Sequence, residues 1–184
     1  EQLIEQIAET DETLLNTFFE KGTLTDPEIR QGLRAGIRTR KIFPLLCAAG
    51  SQLTGVATFL DFITEYCPTP AEVEPATGEV PGHQNGDHAL VTEKCDPKGP
   101  PTLFVFKTVS EPHVGDLSFF RAYSGTMTPG MDLINEATNK SERLAQIFVM
   151  NGKDRKEAPK LIAGDIGAVV KLKDTHTNNT LSSK

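Results

Sequence analysis

The sequence predicts a two-part chain, an α/β piece followed by an all-β small barrel. Three observations carry this. Apolar residues recur at helical spacing through Tyr66, around one short strand-like run. Pro, Gly, Glu, Asp and Asn then dominate from Pro68 to Pro101. Beyond Pro101 the apolar period becomes two. The expected boundaries are residues 1–70 for the α/β piece, 71–101 for a linker and 102–184 for the barrel.

Composition narrows the class. A chain of 184 residues can bury a real core as one domain or two small ones. With 38% apolar and 24% charged residues, it has the make-up of an ordinary soluble protein. No apolar run approaches the roughly 20 residues that cross a bilayer, and no signal peptide is visible. The net charge of −6 argues against loose nucleic-acid binding over the whole surface, leaving room for a local basic patch. Cys47, Cys67 and Cys95 lack metal-like spacing and read as reduced cytosolic thiols. Among His83, His88, His113 and His176 no pair has helical zinc spacing. His83 and His88, with Cys95 nearby, form the one conceivable metal or thiol cluster, but a solvated loop is the expectation and no metal site is assigned.

In the first part, Gln2–Phe19 form a helix candidate. Leu3, Ile4, Ile7, Leu14, Leu15 and Phe18 lie near one stripe that Asp11 interrupts. Gly22 ends it, and Thr25-Asp26-Pro27-Glu28 opens the next helix. There the Thr25 hydroxyl can cap free amides while Glu28 reaches back, and Pro27 costs no hydrogen bond in the first turn. Ile29, Leu33 and Ile37 define its buried face; Arg30, Arg34 and Arg38 repeat beside them as a solvated face or a ridge for phosphate. Lys41–Cys47 (KIFPLLC) reads as a buried strand. A further helix is expected from about Gly55 to Tyr66, with Val56, Phe59, Leu60 and Ile63 inward and Phe62 a further candidate, stopped by Cys67-Pro68-Thr69-Pro70. A lone strand cannot form a sheet, so its partners are expected upstream. The chain, opening on Glu1 inside a helical pattern, reads as a piece of a longer protein.

In the second part, Leu103-Phe104-Val105-Phe106 is continuously apolar, as expected of a strand covered on both faces. After the turn segment Glu111–Gly115 the pattern alternates: Leu117, Phe119, Arg121 and Tyr123 point one way, Ser118, Phe120 and Ala122 the other. Met131–Ile134, Glu142–Met150 and Ile166–Leu172 continue the strands, with Asn151-Gly152 suited to a tight turn. A strand also fits Ala89–Val91, inside the linker.

No phosphate-cradling Gly-x-x-x-x-Gly-Lys-Ser/Thr loop, Gly-x-Ser-x-Gly elbow or paired-histidine zinc motif occurs. Cys47, closing an apolar strand, reads as a small core residue, so no catalytic residue is assigned. Cations are the remaining signal. Lys107, His113, Arg121, Lys140 and Arg143 could gather if adjacent strands bring them together, although Arg121 is also placed to lie over an aromatic ring. Lys153, Arg155 and Lys156 crowd a hairpin tip with Asp154 and Glu157 among them.

The wording of the second part is more specific. Val105-Phe106-Lys107, Pro112-His113-Val114-Gly115, the run Leu117–Thr126, Arg143, Ala163-Gly164-Asp165-Ile166 and Leu172-Lys173-Asp174-Thr175 resemble, in order, domain II of bacterial elongation factor G. Ile42–Cys47, Gly55-Val56 and Tyr66–Pro70 resemble the close of that family's P-loop GTPase domain. The resemblance runs from about Gly22 to Leu181, with the linker matching poorly.

The resemblance implies part of a ribosome-associated, cytoplasmic translational GTPase acting in translocation or ribosome recycling. The chain would hold the end of the GTPase domain and the barrel. GTP or GDP with magnesium would serve the parent protein, mostly through segments upstream of Glu1, and none would be tightly held here. Cys47, Ala49 and Gly50 occupy the guanine-loop positions, where the family's Ser-Ala pair is replaced by Ala49-Gly50. His113, Gly115, Lys153, Arg155 and Lys156 are the RNA-facing candidates. Asp116 reverses the charge the family usually carries after the turn glycine. The implied partners are the ribosome's small-subunit RNA and proteins and the parent's other domains, with no membrane. Two alternatives remain: a non-enzymatic ribosome-binding module whose nucleotide site has decayed, or a GTPase like the ribosomal protection proteins and release factor three.

Overall fold

The computed structural model describes residues 2–79, 90–111 and 115–183. The chain divides into two compact units, Glu1–Val73 and Glu74–Lys184.

The first unit is helical: α1 (Gln2–Ala8), α2 (Glu12–Lys21), α3 (Asp26–Arg38), a single 3-10 turn (Gly50–Gln52) and α4 (Val56–Tyr66). The helix expected over residues 2–19 is two helices. Asp11 splits it, because its carboxylate accepts from the amides of Thr13 (2.9 Å) and Leu14 (3.3 Å) and so starts a new helix. At α3, Glu28 accepts from the Thr25 amide and hydroxyl, both at 2.7 Å, as the motif predicts. Ile7, Ala8, Leu14, Leu24 and Leu33 form the core, with Ile29, Ile37 and Ile42 against it. Gly32 lets α3 come close: a Cβ there would stand 2.5 Å from Ile7 Cγ2 and 2.7 Å from Leu14 Cδ1.

The expectation of a buried strand at Lys41–Cys47 is corrected. The segment is extended coil, with Phe43 79% and Leu45 94% exposed. A strand needs a ladder partner, and among the described residues this unit contains no strand. The inward face expected for α4 is corrected too: Phe59, Leu60 and Ile63 are exposed, while Phe62 and Tyr66 pack on the core and on each other (ring centres 4.9 Å apart).

The second unit is all β. The stretch expected to be a linker carries an antiparallel pair, β1 (Ala76–Glu79) and β2 (Leu90–Glu93), in register Ala76↔Glu93 through Glu79↔Leu90. Then follow β3 (Thr102–Glu111), β4 (Gly115–Ser124), β5 (Thr126–Met127), β6 (Met131–Asn135), β7 (Lys140–Leu144), β8 (Ile147–Asn151), β9 (Asp154–Glu157), β10 (Leu161–Ile162), β11 (Ile166–Val170) and β12 (Thr180–Ser182). One antiparallel sheet has the order β7-β6-β12-β3-β4-β11-β8-β9, and β10 pairs with β5 separately. Leu133 and Leu144 from one end of that sheet share a single core with Ile147 and Val169 from the other. The sheet therefore wraps around its core as a barrel does.

Alternation in β4 runs as predicted, with Phe120 and Ala122 fully buried. β3 departs from expectation: Leu103 and Val105 are buried, but Phe104 is half-buried and Phe106 exposed, so only one face is covered. Alternation sends Phe106 outward with Phe104, and the register shift between Val105 and Lys107 brings Lys107 to that same face, opposite Phe119.

A buried polar clasp ties β6 and β7 to the segment before β12. Glu142, 3% exposed, accepts from the amides of Lys173 (3.0 Å) and Asp174 (2.7 Å) and from the Thr175 hydroxyl (2.8 Å). Asn135 donates to the Asp174 carbonyl (3.0 Å) and to Thr175 Oγ1 (3.1 Å). At the turn after β4, Gly125 has φ 76°, and a Cβ would stand 2.6 Å from the backbone of Pro101 and 2.8 Å from the Gly99 carbonyl.

This packing sets two expectations for stability. Gly125→Ala lowers the unfolding free energy by more than about 1 kcal/mol in urea titration, since neither the backbone angle nor the space admits a side chain. Glu142→Ala orphans two partly buried amides and a buried hydroxyl and costs about 2 kcal/mol in the same assay, with Glu142→Gln recovering part.

Candidate functional site

Two places gather the residues singled out by sequence: the Cys47–Gly55 loop of the helical unit and the turns of the barrel. In the loop, Ala49 and Thr54 exchange backbone hydrogen bonds (Ala49 N to Thr54 O, 2.9 Å; Thr54 N to Ala49 O, 3.2 Å). Gln52 N closes on Ala49 O at 3.1 Å. Between them, Gly50 heads the 3-10 turn, where the first amides have no partner within the turn. A Cβ on Gly50 would meet nothing within 4 Å, so the turn is open on that side. Cys47 is exposed, which corrects its reading as a small core residue: the strand that was to bury it does not form. With Ala48, Ala49 and Gly50 all small, a planar ligand could approach these amides. The loop carries no lysine or carboxylate for phosphate or metal.

The arginine ridge meets protein. Arg30 pairs with Glu65, and Arg34 donates to the Glu65 carbonyl (2.8 Å) and to Glu72 (3.1 Å). These contacts tie α3 to α4 and to the segment after it. Arg38 lies with Gln31, Tyr66 and Pro68 along a shallow recess beside that pair.

In the barrel, His113 lies outside the described residues, as do His83 and His88. Gly115 opens β4 opposite Glu111. Asp116 accepts from the Ser110 hydroxyl, and its carbonyl accepts from Lys171 N at 3.3 Å. The β8–β9 hairpin turns through Gly152-Lys153 rather than Asn151-Gly152, because Asn151 is still paired with Asp154. Lys153, Arg155 and Lys156 are exposed there. Arg155 sits opposite Met150 and Lys156 opposite Val149, so strand alternation sends these two to opposite sides. The other described cations do not gather. Lys140 and Arg143 are on the edge strand β7, paired with Asp174 (2.7 Å) and Asp132 (3.4 Å). Lys107 and Arg121 lie over rings on β3 and β4. Among the described residues no cluster of His, Cys, Asp and Glu could hold a metal ion, and no helix is long and apolar enough to cross a membrane.

Residues 100–184 match the family model described as elongation factor G domain 2. Over these residues the barrel is similar to domain 2 of that translation factor. A crystal structure of a protein from Thermus thermophilus is similar over 98% of this chain, with a TM-score of 0.73 and 29% identity. The chain spans about a quarter of that protein, 24% of its length.

Two features of the barrel escaped sequence reasoning in whole or in part. The Glu142–Thr175 clasp joins residues 33 positions apart, and only the polar run Lys173-Asp174-Thr175 hinted at it. Of the ring-and-cation face of β3 and β4 only the Arg121 contact was legible; the β3 rings were hidden because Leu103–Phe106 read as wholly covered.

The carboxyl of Glu72 is held below the ordinary range, first by the Thr69 amide, then by the Thr69 hydroxyl, with Arg34 adding to it. Glu28, bonded to the Thr25 hydroxyl and amide, and Asp11, bonded to the Leu14 and Thr13 amides, are lowered likewise. A depressed folded pKa gives stability that is present above the unfolded pKa and lost as pH falls through the folded one. The helical unit should therefore lose far-UV circular dichroism and melt earlier as pH drops below about 4. Asp11→Asn, which keeps a cap without a titrating group, should flatten part of that loss.

Proposed function

We propose that this chain is part of a translational GTPase resembling elongation factor G, working on the ribosome in translocation or recycling. The observation that carries the reading is the match of residues 100–184 to domain 2 of that factor. On this reading the helical unit is the end of the GTPase domain, and domain II faces small-subunit ribosomal RNA in the cytoplasm. The guanine base would lie against Ala49 and Gly50, with the open 3-10 turn offering amides to its carbonyl. Bound GTP with magnesium would supply the hydrolysable phosphate, and the groups that hold it belong to a preceding part of the protein. Lys153 and Lys156, on their exposed hairpin, suit ribosomal phosphate.

A non-enzymatic ribosome-binding module is the second reading, favoured by the loss of the loop serine and by Asp116. One experiment separates them. The full-length protein should sediment with ribosomes more strongly with a non-hydrolysable GTP analogue than with GDP, and Lys153→Glu/Lys156→Glu should weaken this several-fold. The 184-residue chain alone should hydrolyse no GTP above buffer. Sedimentation indifferent to nucleotide would favour the second reading, and none at all would sink both.

A further inference from the structure

Across β3 and β4, the side chains turned away from the barrel core alternate rings with cations. Phe104 is in register with Arg121, and Lys107 with Phe119. The rings of Phe104 and Tyr123 meet edge-on with centres 6.5 Å apart, and Phe106 and Phe119 lie 6.4 Å apart. The Lys107 ammonium stands 5.8 Å from the centre of the Phe119 ring, and the Arg121 guanidinium 5.1 Å from that of Tyr123. Their strand neighbours Phe120 and Ala122 are fully buried, so this face points away from the barrel core; at one end Phe119 packs on a second buried cluster of Leu117, Ala168 and Val170, and the rest of the face lies beyond it. Phe106, 41% exposed, holds an apolar ring in water. Lys107 and Arg121 form no ion pair with any described carboxylate.

We infer that this face binds single-stranded polynucleotide. Bases stack on the rings of Phe106 and Tyr123, and phosphates meet Lys107 and Arg121. Every base offers a π-face, so rings on a sheet surface accept a strand without reading its sequence. Residues two apart on a strand stand roughly 7 Å from one another, leaving room for a base beside each ring. Cations set between rings supply the phosphate complement and break up the continuous apolar surface that a protein partner would need. A duplex hides its base faces and gains nothing from the rings. This face uses residues distinct from the hairpin tip and goes beyond the ribosomal reading.

The chain's emission makes a direct test. It has two tyrosines, Tyr66 and Tyr123, and no tryptophan, so Tyr66→Phe leaves Tyr123 as the reporter. Titrating the full chain with oligouridylate or oligothymidylate of about twelve nucleotides should quench Tyr123. Phe106→Ala and Lys107→Gln should each weaken binding about tenfold. If Phe106→Ala fails to fold, Phe106→Leu keeps the bulk without the ring and should weaken binding equally. Binding of either RNA or DNA strands with these losses upholds the face. Four results would overturn it: no quenching, duplex RNA bound as tightly, binding unchanged in the face variants, or loss confined to Lys156→Gln. Strand binding in a protein that never sediments with ribosomes upholds the face and overturns the ribosomal reading alone.

Discussion

The cross-strand register of β3 and β4 decides what the barrel can be. Pairing Val105 with Phe120 and Leu103 with Ala122 turns those four side chains into the core, and sends Phe104, Phe119, Arg121 and Tyr123 to the other face. A slip of one residue would bury Arg121 and expose Phe120, and an unpaired buried charge costs several kcal/mol. Neighbouring strands inherit the choice, because β11 pairs along β4 and β12 along β3. The register shift near Phe106 is a local departure, and it places Lys107 on the outer face beside Phe119.

The helical unit rests on a different constraint. Its helices are short, and the starts of α2 and α3 are set by side chains that satisfy free amides: Asp11 before α2, and Thr25 with Glu28 at α3. Its core is small, and Phe43, Leu45, Leu53 and Leu60 all lie exposed. The proposed place at the end of a GTPase domain gives Ile42–Cys47 strand partners that the unit does not supply.

Local chemistry made much of this legible in the sequence. The Thr25-Glu28 box, the alternation through Phe119–Tyr123 and the cation–ring contact of Arg121 could be read directly, because each depends on residues close in sequence. Burial was harder. KIFPLLC and the face of α4 have the composition of core elements, but what covers an apolar residue depends on neighbours that sequence periodicity does not name. Asp11 was seen only as an interruption in a stripe, although a mid-pattern aspartate is also a start signal. The β1–β2 pair lies in a Pro- and Gly-rich stretch whose backbone pairing leaves almost no apolar pattern. In the loop at Cys47–Gly55 the sequence marked candidate positions but not the exposure of Cys47.

On the proposed reading, the barrel and the helical unit are parts of a factor that meets ribosomal RNA through the barrel. The most direct measurement is directed hydroxyl-radical probing. An iron chelate would be tethered to a cysteine at position 153, in full-length protein lacking Cys47, Cys67 and Cys95. Cleavage confined to small-subunit RNA, stronger with a GTP analogue than with GDP, is the predicted result. Cleavage only in large-subunit RNA, or none from a protein that still sediments with ribosomes, would contradict the account.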